Sequence, residues 1–177
     1  MNSASGKTKA YTSYLIKKLV SVFLEFNVKR PRAYTRLQNF AYTKDMDKMT
    51  KSDAEWKSEL SPEAYQVLRH EGTERAGSSP LNGEKREGTF VCAGCGQELF
   101  SSETKFESGT GWPSFYEGLP GALETKTDFK LIWPRTEYHC SRCGGHQGHV
   151  FNDGPDPTGK RYCNNGVALN FVPKSSQ

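Results

Sequence analysis

Thr89-Phe90-Val91-Cys92-Ala93-Gly94-Cys95-Gly96-Gln97-Glu98-Leu99-Phe100 is the stretch from which the fold can be read. Thr89–Val91 is a short β-branched and aromatic run that delivers Cys92. Glu98–Phe100 leads away from it, so the two runs read as an antiparallel hairpin. Gly94 and Gly96 supply the backbone freedom that a tight knuckle around the sulfurs requires. The same grammar recurs in Glu137-Tyr138-His139-Cys140-Ser141-Arg142-Cys143-Gly144-Gly145. Two residues between sulfurs let both thiolates reach one ion. The pairs Cys92/Cys95 and Cys140/Cys143 then complete the tetrahedral four-thiolate shell of zinc. A redox CxxC and an iron–sulfur centre are the competing readings. A redox pair normally opens a helix in a βαβ unit, whereas each pair here stands between strand-like segments. Four closed ligands leave no open position, so this ion is read as structural. The 44 residues between the pairs exceed the gap of a simple zinc ribbon and predict a β layer inserted between two knuckles.

The chain has five cysteines in 177 residues, so one is left over. It is Cys163, in the polar stretch Gly159-Lys160-Arg161-Tyr162-Cys163-Asn164-Asn165-Gly166, which reads as a loop entering a closing strand at Val167–Val172. An odd cysteine count with CxxC spacing opposes a secreted disulfide framework and fits metal binding in a reducing compartment. A free thiol ionises near pH 8.5, and the adjacent Arg161 is expected to lower Cys163 toward a thiolate at neutral pH. His146-Gln147-Gly148-His149 follows the second knuckle directly. With the zinc shell filled by sulfur, acid–base or hydrogen-bonding roles suit these histidines better than ligation. Support of the zinc from its second shell stays open for His146.

The rest of the chain reads as a small, ring-rich β domain. Only 34% of residues are hydrophobic but 12% are aromatic, and seventeen glycines with nine prolines favour short strands and turns. Ser52-Asp53-Ala54-Glu55 is a capping box that predicts a helix from Asp53 to about Leu60. Ser61-Pro62-Glu63 repeats the start signal for a second helix ending at Gly72. Thr73–Glu87 lacks periodicity and is expected to be a surface lead-in without catalytic content. Lys105–Phe115 carries Phe106, Trp112 and Phe115 among glycines, as in a loop presenting an aromatic surface; Trp112 reads as core or as the wall of an apolar pocket. Leu123–Asp128 and Arg135–Tyr138 are strand-like, with turns marked by Pro120, Gly121 and Pro134.

The net charge of +4 averages two unlike parts. Residues 1–44 carry nine Lys or Arg against the single acid Glu25, a net +8, and residues 45–177 carry a net −4. The mildly acidic part gives no electrostatic reason to bind nucleic acid. No run of about 20 apolar residues is present to span a membrane. Within residues 1–44, Leu15, Ile16, Leu19, Val20, Phe23 and Leu24 lie on one helical side, with Lys17, Lys18 and Ser21 off it. A basic, amphipathic, acid-poor N-terminus has the character of a mitochondrial transit peptide. A disordered basic extension, or a helix docked on the domain, is the alternative.

Taken together, Cys92-x-x-Cys95, Gly111-Trp112-Pro113-Ser114-Phe115, Cys140-x-x-Cys143, Gly148-His149-Val150-Phe151 and Arg161-Tyr162-Cys163-Asn164-Asn165 resemble the methionine-R-sulfoxide reductases (type B), in unbroken order from Ser52 to Pro173. The resemblance implies a mainly β fold: two small antiparallel sheets, a four-cysteine zinc site at one end and short N-terminal helices. It implies a catalytic domain over 52–173 that reduces the R epimer of methionine sulfoxide, mainly in oxidised proteins. Cys163 would be the nucleophile on the sulfoxide sulfur, left afterwards as a sulfenic acid. His149, with His146 nearby, would bind and protonate the departing oxygen. Trp112 would wall the pocket for the substrate methyl group, with Phe151 as a further substrate contact. Arg161, Asp153 and Asn165 would orient the site and stabilise the thiolate.

One departure matters. Many members have a resolving cysteine where this chain has Thr110, and the other four cysteines here are committed to metal. The expectation is a one-cysteine enzyme regenerated by an external thiol, of the thioredoxin or glutaredoxin/glutathione type, working as a monomer. The alternative from another class is a zinc-knuckle module that binds protein or nucleic acid without catalysis. It accounts for the four metal cysteines but not for Cys163 beside Arg161.

For localisation, the expectation is mitochondrial for the full chain and cytosolic for a form starting at Met46. Imaging C-terminally tagged versions of both checks it. Identical diffuse cytosolic signal from the two would remove the targeting reading.

Overall fold

The computed structural model describes residues 48–128 and 135–175. The proposed transit segment, and the turn at Pro134, lie outside these residues.

The chain enters through two short helices whose starts are set by serine caps. In α1 (Asp53–Glu59) the Ser52 hydroxyl accepts from the Glu55 N–H, and the Glu55 carboxylate accepts from the Ser52 N–H. Both halves of the expected capping box are therefore present. In α2 (Pro62–His70) Ser61 caps Ala64 N–H and proline stands in the first turn. This helix ends just short of Gly72, because Glu71 takes a left-handed conformation (φ 55°) and its N–H returns to the Gln66 carbonyl. Trp56, Ala64, Tyr65, Val67 and Leu68 point inward from the two helices.

Among the described residues nine strands follow, all paired antiparallel. β1 (Gly88–Cys92), β2 (Glu98–Ser101) and β9 (Leu169–Pro173) form a three-stranded sheet in the order β2-β1-β9. The other sheet has six strands in the order β3-β4-β8-β7-β6-β5. These are β3 (Lys105–Phe106), β4 (Ser114–Phe115), β5 (Leu123–Asp128), β6 (Arg135–Cys140), β7 (His146–Phe151) and β8 (Arg161–Asn164). The β1–β2 hairpin is as expected. The single β layer anticipated between the two knuckles is not found: β2 joins the three-stranded sheet, and β3–β4 and β5 lie at opposite edges of the six-stranded one.

The sheets meet over aromatic rings. Phe100 stacks on Phe115 with centroids 4.1 Å apart, and Phe90 meets Phe115 edge-on at 4.9 Å. Tyr138 and Tyr162 extend the cluster, with centroids 5.3 Å apart. Each fully buried Phe contributes about 1.5–3 kcal/mol relative to exposure, so these few rings stand in for a larger aliphatic core. Phe115 is thus core and is not part of an exposed aromatic surface, while Trp112 from the same stretch stays half-buried.

Two expectations are corrected. Gly159–Gly166 is not all loop, since Arg161–Asn164 is an interior strand with β7 on one side and β4 on the other. Cys163 therefore lies within a strand of the six-stranded sheet, and the closing strand β9 belongs to the other sheet. Polar residues without alternation give no local strand signal here; the neighbouring strands supply the hydrogen-bonding partners.

Gly148 makes that pairing possible. A Cβ built at this position would lie 2.0 Å from the Cys163 carbonyl oxygen, so a side chain at 148 forces β7 and β8 apart. Gly148→Ala is expected to cost about 1–3 kcal/mol, in the range of overpacked interiors. A lowered thermal midpoint with unchanged metal content checks this; a midpoint equal to that of the parent protein would refute it.

Candidate active site and metal centre

The two knuckles bring four sulfurs together. Cys92 Sγ lies 3.7 Å from Cys143 Sγ and Cys95 Sγ lies 3.5 Å from Cys140 Sγ. All four fall within 4.8 Å of one another. A tetrahedral ion with Zn–S bonds of 2.3 Å requires edges of about 3.8 Å, so the donors fit one such ion in both number and spacing. Mutual hydrogen bonding splits the four thiols. Cys92 and Cys140 are pushed above the ordinary thiol range, and Cys95 and Cys143 are pulled below it. A dication in place of the shared protons removes that conflict.

The cluster is enclosed from the helical side. Leu68 and Trp56 pack against Gly94, and Leu68 packs against Gly145. Arg69 donates to the Cys143 carbonyl at 3.1 Å, and the Met49 N–H donates to the Arg142 carbonyl at 2.7 Å. The side chain that reaches a sulfur is Gln147, whose Nε2 donates to Cys92 Sγ at 3.4 Å. His146, for which zinc support was left open, points elsewhere. Alternation along β7 gives no signal for this, because the pairing with β6 shifts register at Gln147 and so leaves His146 and His149, three residues apart, beside each other.

The free cysteine lies at a small cavity of about 130 Å³ lined by Thr73, Trp112, Arg135, Gly148, His149, Phe151, Cys163, Asn164 and Asn165. His149 and Cys163 are directly opposed residues of β7 and β8. Such partners share one face of a sheet with Cβ atoms about 4.5–5.5 Å apart. Trp112 is anchored by its indole N–H, which donates to the Glu74 carbonyl at 3.2 Å. Phe151 lines the cavity and also underlies Arg161, whose guanidinium carbon sits 4.4 Å from the ring centroid.

Arg161 makes a bidentate pair with Asp153, both N···O distances being 2.9 Å. The expectation of a lowered Cys163 thiol is corrected. Burial is the largest influence and pushes it above the ordinary range; hydrogen bonding from Thr110 and the charge and hydrogen bonding of Arg161 pull it down without prevailing. Asp153 takes up much of the Arg161 charge and itself opposes a thiolate. Thr110 ends a hydroxyl chain, with Ser108 2.8 Å from Thr110 and 2.7 Å from the fully buried Ser114. Run from Ser114 through Ser108 to Thr110, the chain places an O–H donor on Sγ; run the other way, it accepts from the thiol.

Asn165 and Asn164 are framework. The Asn165 amide accepts from the Glu74 N–H at 3.0 Å and donates to the Gln147 carbonyl at 3.0 Å. Asn164 is fully buried and accepts from the Tyr138 hydroxyl at 2.7 Å. His146 stands behind His149 with ring centroids 5.6 Å apart. Burial pushes its ring down to about 4, so it is neutral at pH 7.

Thr73–Glu87 proves to be more than a lead-in. Thr73 lines the cavity. The Glu74 carboxylate accepts from the Gly166 and Val167 N–H groups at 2.7 and 2.9 Å, clasping the turn after β8. An isolated acid in an aperiodic loop offers no local sign of this role.

Four clustered sulfurs at one end of a mainly β domain, with one remaining cysteine facing a histidine across paired strands, define a knuckle-stabilised thiol protein. A family model described as the SelR domain matches residues 60–173. Three relatives bear the name peptide methionine sulfoxide reductase MsrB. That of Methanosarcina barkeri is 59% identical over 122 residues, covering 68% of this chain and 86% of its own length. That of Methanosarcina mazei is 56% identical, covering 71% and 91%. That of Leptospira interrogans is 54% identical, covering 70% and 95%. The chain belongs to the SelR family, the type B methionine sulfoxide reductases.

The balance at Cys163 is open to measurement. Thr110→Val removes a donor to sulfur, so alkylation of Cys163 by iodoacetamide at pH 7 should slow roughly tenfold, the worth of one hydrogen bond to a charged group. In the unaltered protein the rate should keep rising as pH climbs past the free-thiol range, because burial opposes the thiolate. A rate for Thr110→Val equal to that of the parent would refute the assignment.

Proposed function

We propose that this chain reduces the R epimer of methionine sulfoxide, chiefly in oxidised proteins, using Cys163 as its sole redox-active thiol. The observation that carries the reading is the opposition of Cys163 and His149 across β7 and β8, at a cavity walled by Trp112 and Phe151. The cavity's size suits a side-chain tip bearing one methyl group, and the two rings supply an apolar surface for it.

In the proposed step the Cys163 sulfur attacks the sulfoxide sulfur. A sulfur–sulfur bond forms as the oxygen is protonated; the oxygen then passes to the Cys163 sulfur as the substrate's sulfur–oxygen bond and the transient sulfur–sulfur bond break, leaving a sulfenic acid and releasing methionine. The departing oxygen needs a proton. His149 delivers it, and the neutral, buried His146 behind it holds its ring in place. Burial raises the proton affinity of Cys163 and also strengthens the thiolate as a nucleophile once it forms. The Arg161–Asp153 pair, stacked on Phe151, orients the guanidinium toward the sulfur. Asn165 acts at one remove, by fixing Glu74 and so the anchor of Trp112.

Zinc is the ion assigned to Cys92, Cys95, Cys140 and Cys143, and its role is to hold the fold. The remaining cysteine in the whole chain is Cys163 itself. Regeneration therefore falls to an external dithiol or to two monothiols, which reduce the sulfenic acid to thiol and water and become a disulfide. Thioredoxin or a glutaredoxin/glutathione couple has this chemistry. The setting proposed from the N-terminal composition is the mitochondrion.

Purified protein given each epimer of methionine sulfoxide with dithiothreitol should form methionine from the R epimer. Cys163→Ser should lose at least about 10³-fold in rate with its zinc retained. After one equivalent of sulfoxide without reductant, mass spectrometry should find Cys163 as a sulfenic acid. A disulfide from Cys163 to one of the four clustered cysteines in active, zinc-loaded protein would sink the one-cysteine mechanism. Turnover of neither epimer would leave the non-catalytic knuckle module as the better account.

A further inference from the structure

Behind His149 lies a second group of ligand-type side chains, separate from the four cysteines. Glu137 and His139 stand two apart on β6 and so share a face. His139 and His146 are directly opposed across β6 and β7, with ring centroids 5.3 Å apart. The ligand atoms of these three residues all lie within 4.8 Å of one another. His139 Nε2 is 3.3 Å from Glu137 Oε1, and His146 Nδ1 is 3.5 Å from Glu137 Oε2.

Hydrogen bonding does not account for this group. His146 is 1% exposed, yet neither ring nitrogen has a hydrogen-bond partner, and the same holds for the buried Nε2 of His139. With its proton on Nδ1, donated to the Gly144 carbonyl at 3.2 Å, His139 offers the Nε2 lone pair as a ligand; the Glu137 oxygen at Nε2 favours the proton there until a cation takes its place. Two imidazole lone pairs and a carboxylate, buried together, form a donor set for a divalent ion. Ligands about 2.0–2.1 Å from a tetrahedral ion lie about 3.3–3.4 Å apart, and each histidine nitrogen stands near that distance from a different oxygen of Glu137. The charges acting on the group include Glu71 and the exposed Lys126, which lies 2.8 Å from Glu137 Oε1 and 2.9 Å from Glu71. Lys126 is already shared with Glu71, so it can move aside to that carboxylate.

We propose that Glu137, His139 and His146 form a second metal site, which takes a borderline divalent cation such as Zn²⁺, and that filling it slows the enzyme. The binding half stands on the geometry alone. The inhibitory half rests on the proposed function: the ion draws on His146, the ring that supports His149, and its charge opposes positive charge on His149 during proton delivery.

The test uses the full chain with its four-cysteine site loaded, carrying Cys163→Ser so that the free thiol cannot bind metal. Further Zn²⁺ is added, and bound metal is counted after dialysis. One additional equivalent is expected. His139→Asn should weaken it by about tenfold or more, and Lys126→Gln, which removes the competing cation, should tighten it. Co²⁺ in the same site should show weak visible bands without the strong sulfur-to-metal absorption of a thiolate site. With Cys163 present, micromolar Zn²⁺ should slow sulfoxide reduction reversibly, and His139→Asn should keep its basal rate but lose this sensitivity. No additional equivalent, one indifferent to His139→Asn, or one with sulfur-to-metal absorption overturns the site. Binding without loss of rate overturns the inhibition alone. Because the metal count is made in Cys163→Ser, it stands even if the proposed reductase activity fails.

Discussion

Four sulfurs within 4.8 Å of one another tie the knuckle that closes β1 to the knuckle that joins β6 and β7. The first belongs to the three-stranded sheet and the second to the six-stranded sheet, so one tetrahedral cluster spans both layers. Everything else is arranged around that constraint. Trp56 and Leu68 cover the cluster from the helices, and Gln147 reaches it from β7. A structural four-thiolate zinc contributes on the order of 10 kcal/mol in small domains, comparable with the whole stability of a domain this size. A core built around a few aromatic rings can therefore suffice.

The same strands that end at the cluster carry the reactive residues. β7 leaves the second knuckle with His146 beside Glu137 and Gln147 reaching Cys92, shifts register against β6 at Gln147, reaches the close approach at Gly148, and then presents His149 to Cys163. Rigid strand pairing, with Ser114 and His149 both opposite Cys163, sets the sulfur's position within the sheet. The loop side is held by Glu74, which anchors Trp112 through its carbonyl and the turn after β8 through its carboxylate. The electrostatics are restrained. Burial dominates at Cys163, the Thr110 hydroxyl is the largest influence favouring a thiolate, and Arg161 is held largely by Asp153. Thr110 thus takes part in poising the thiol.

Much of this was legible in the residues themselves. The CxxC spacing, the glycines after each pair and the serine caps are local signals, and the cluster, the β1–β2 hairpin and both helices answer to them. The count of five cysteines marked Cys163. Other features had no local signature. Arg161–Asn164 is polar and without alternation, so it reads as loop, yet it is an interior strand because β4 and β7 pair with it. Phe115 and Trp112 come from one short segment but divide between core and cavity wall.

Covalent spacing within a few residues is a property of the chain alone. It was enough to determine the ligand set, the knuckles, the caps and the identity of the leftover thiol. The tertiary structure decided which side chains meet across distant segments. Glu74 meets the turn after β8, Gln147 meets Cys92, Glu137 meets His139 and His146, and Asp153 tempers Arg161. It also decided the sign of the shift at Cys163. Burial and the competition among several charges depend on the packing of the whole domain, and neighbouring residues in sequence do not encode that sum.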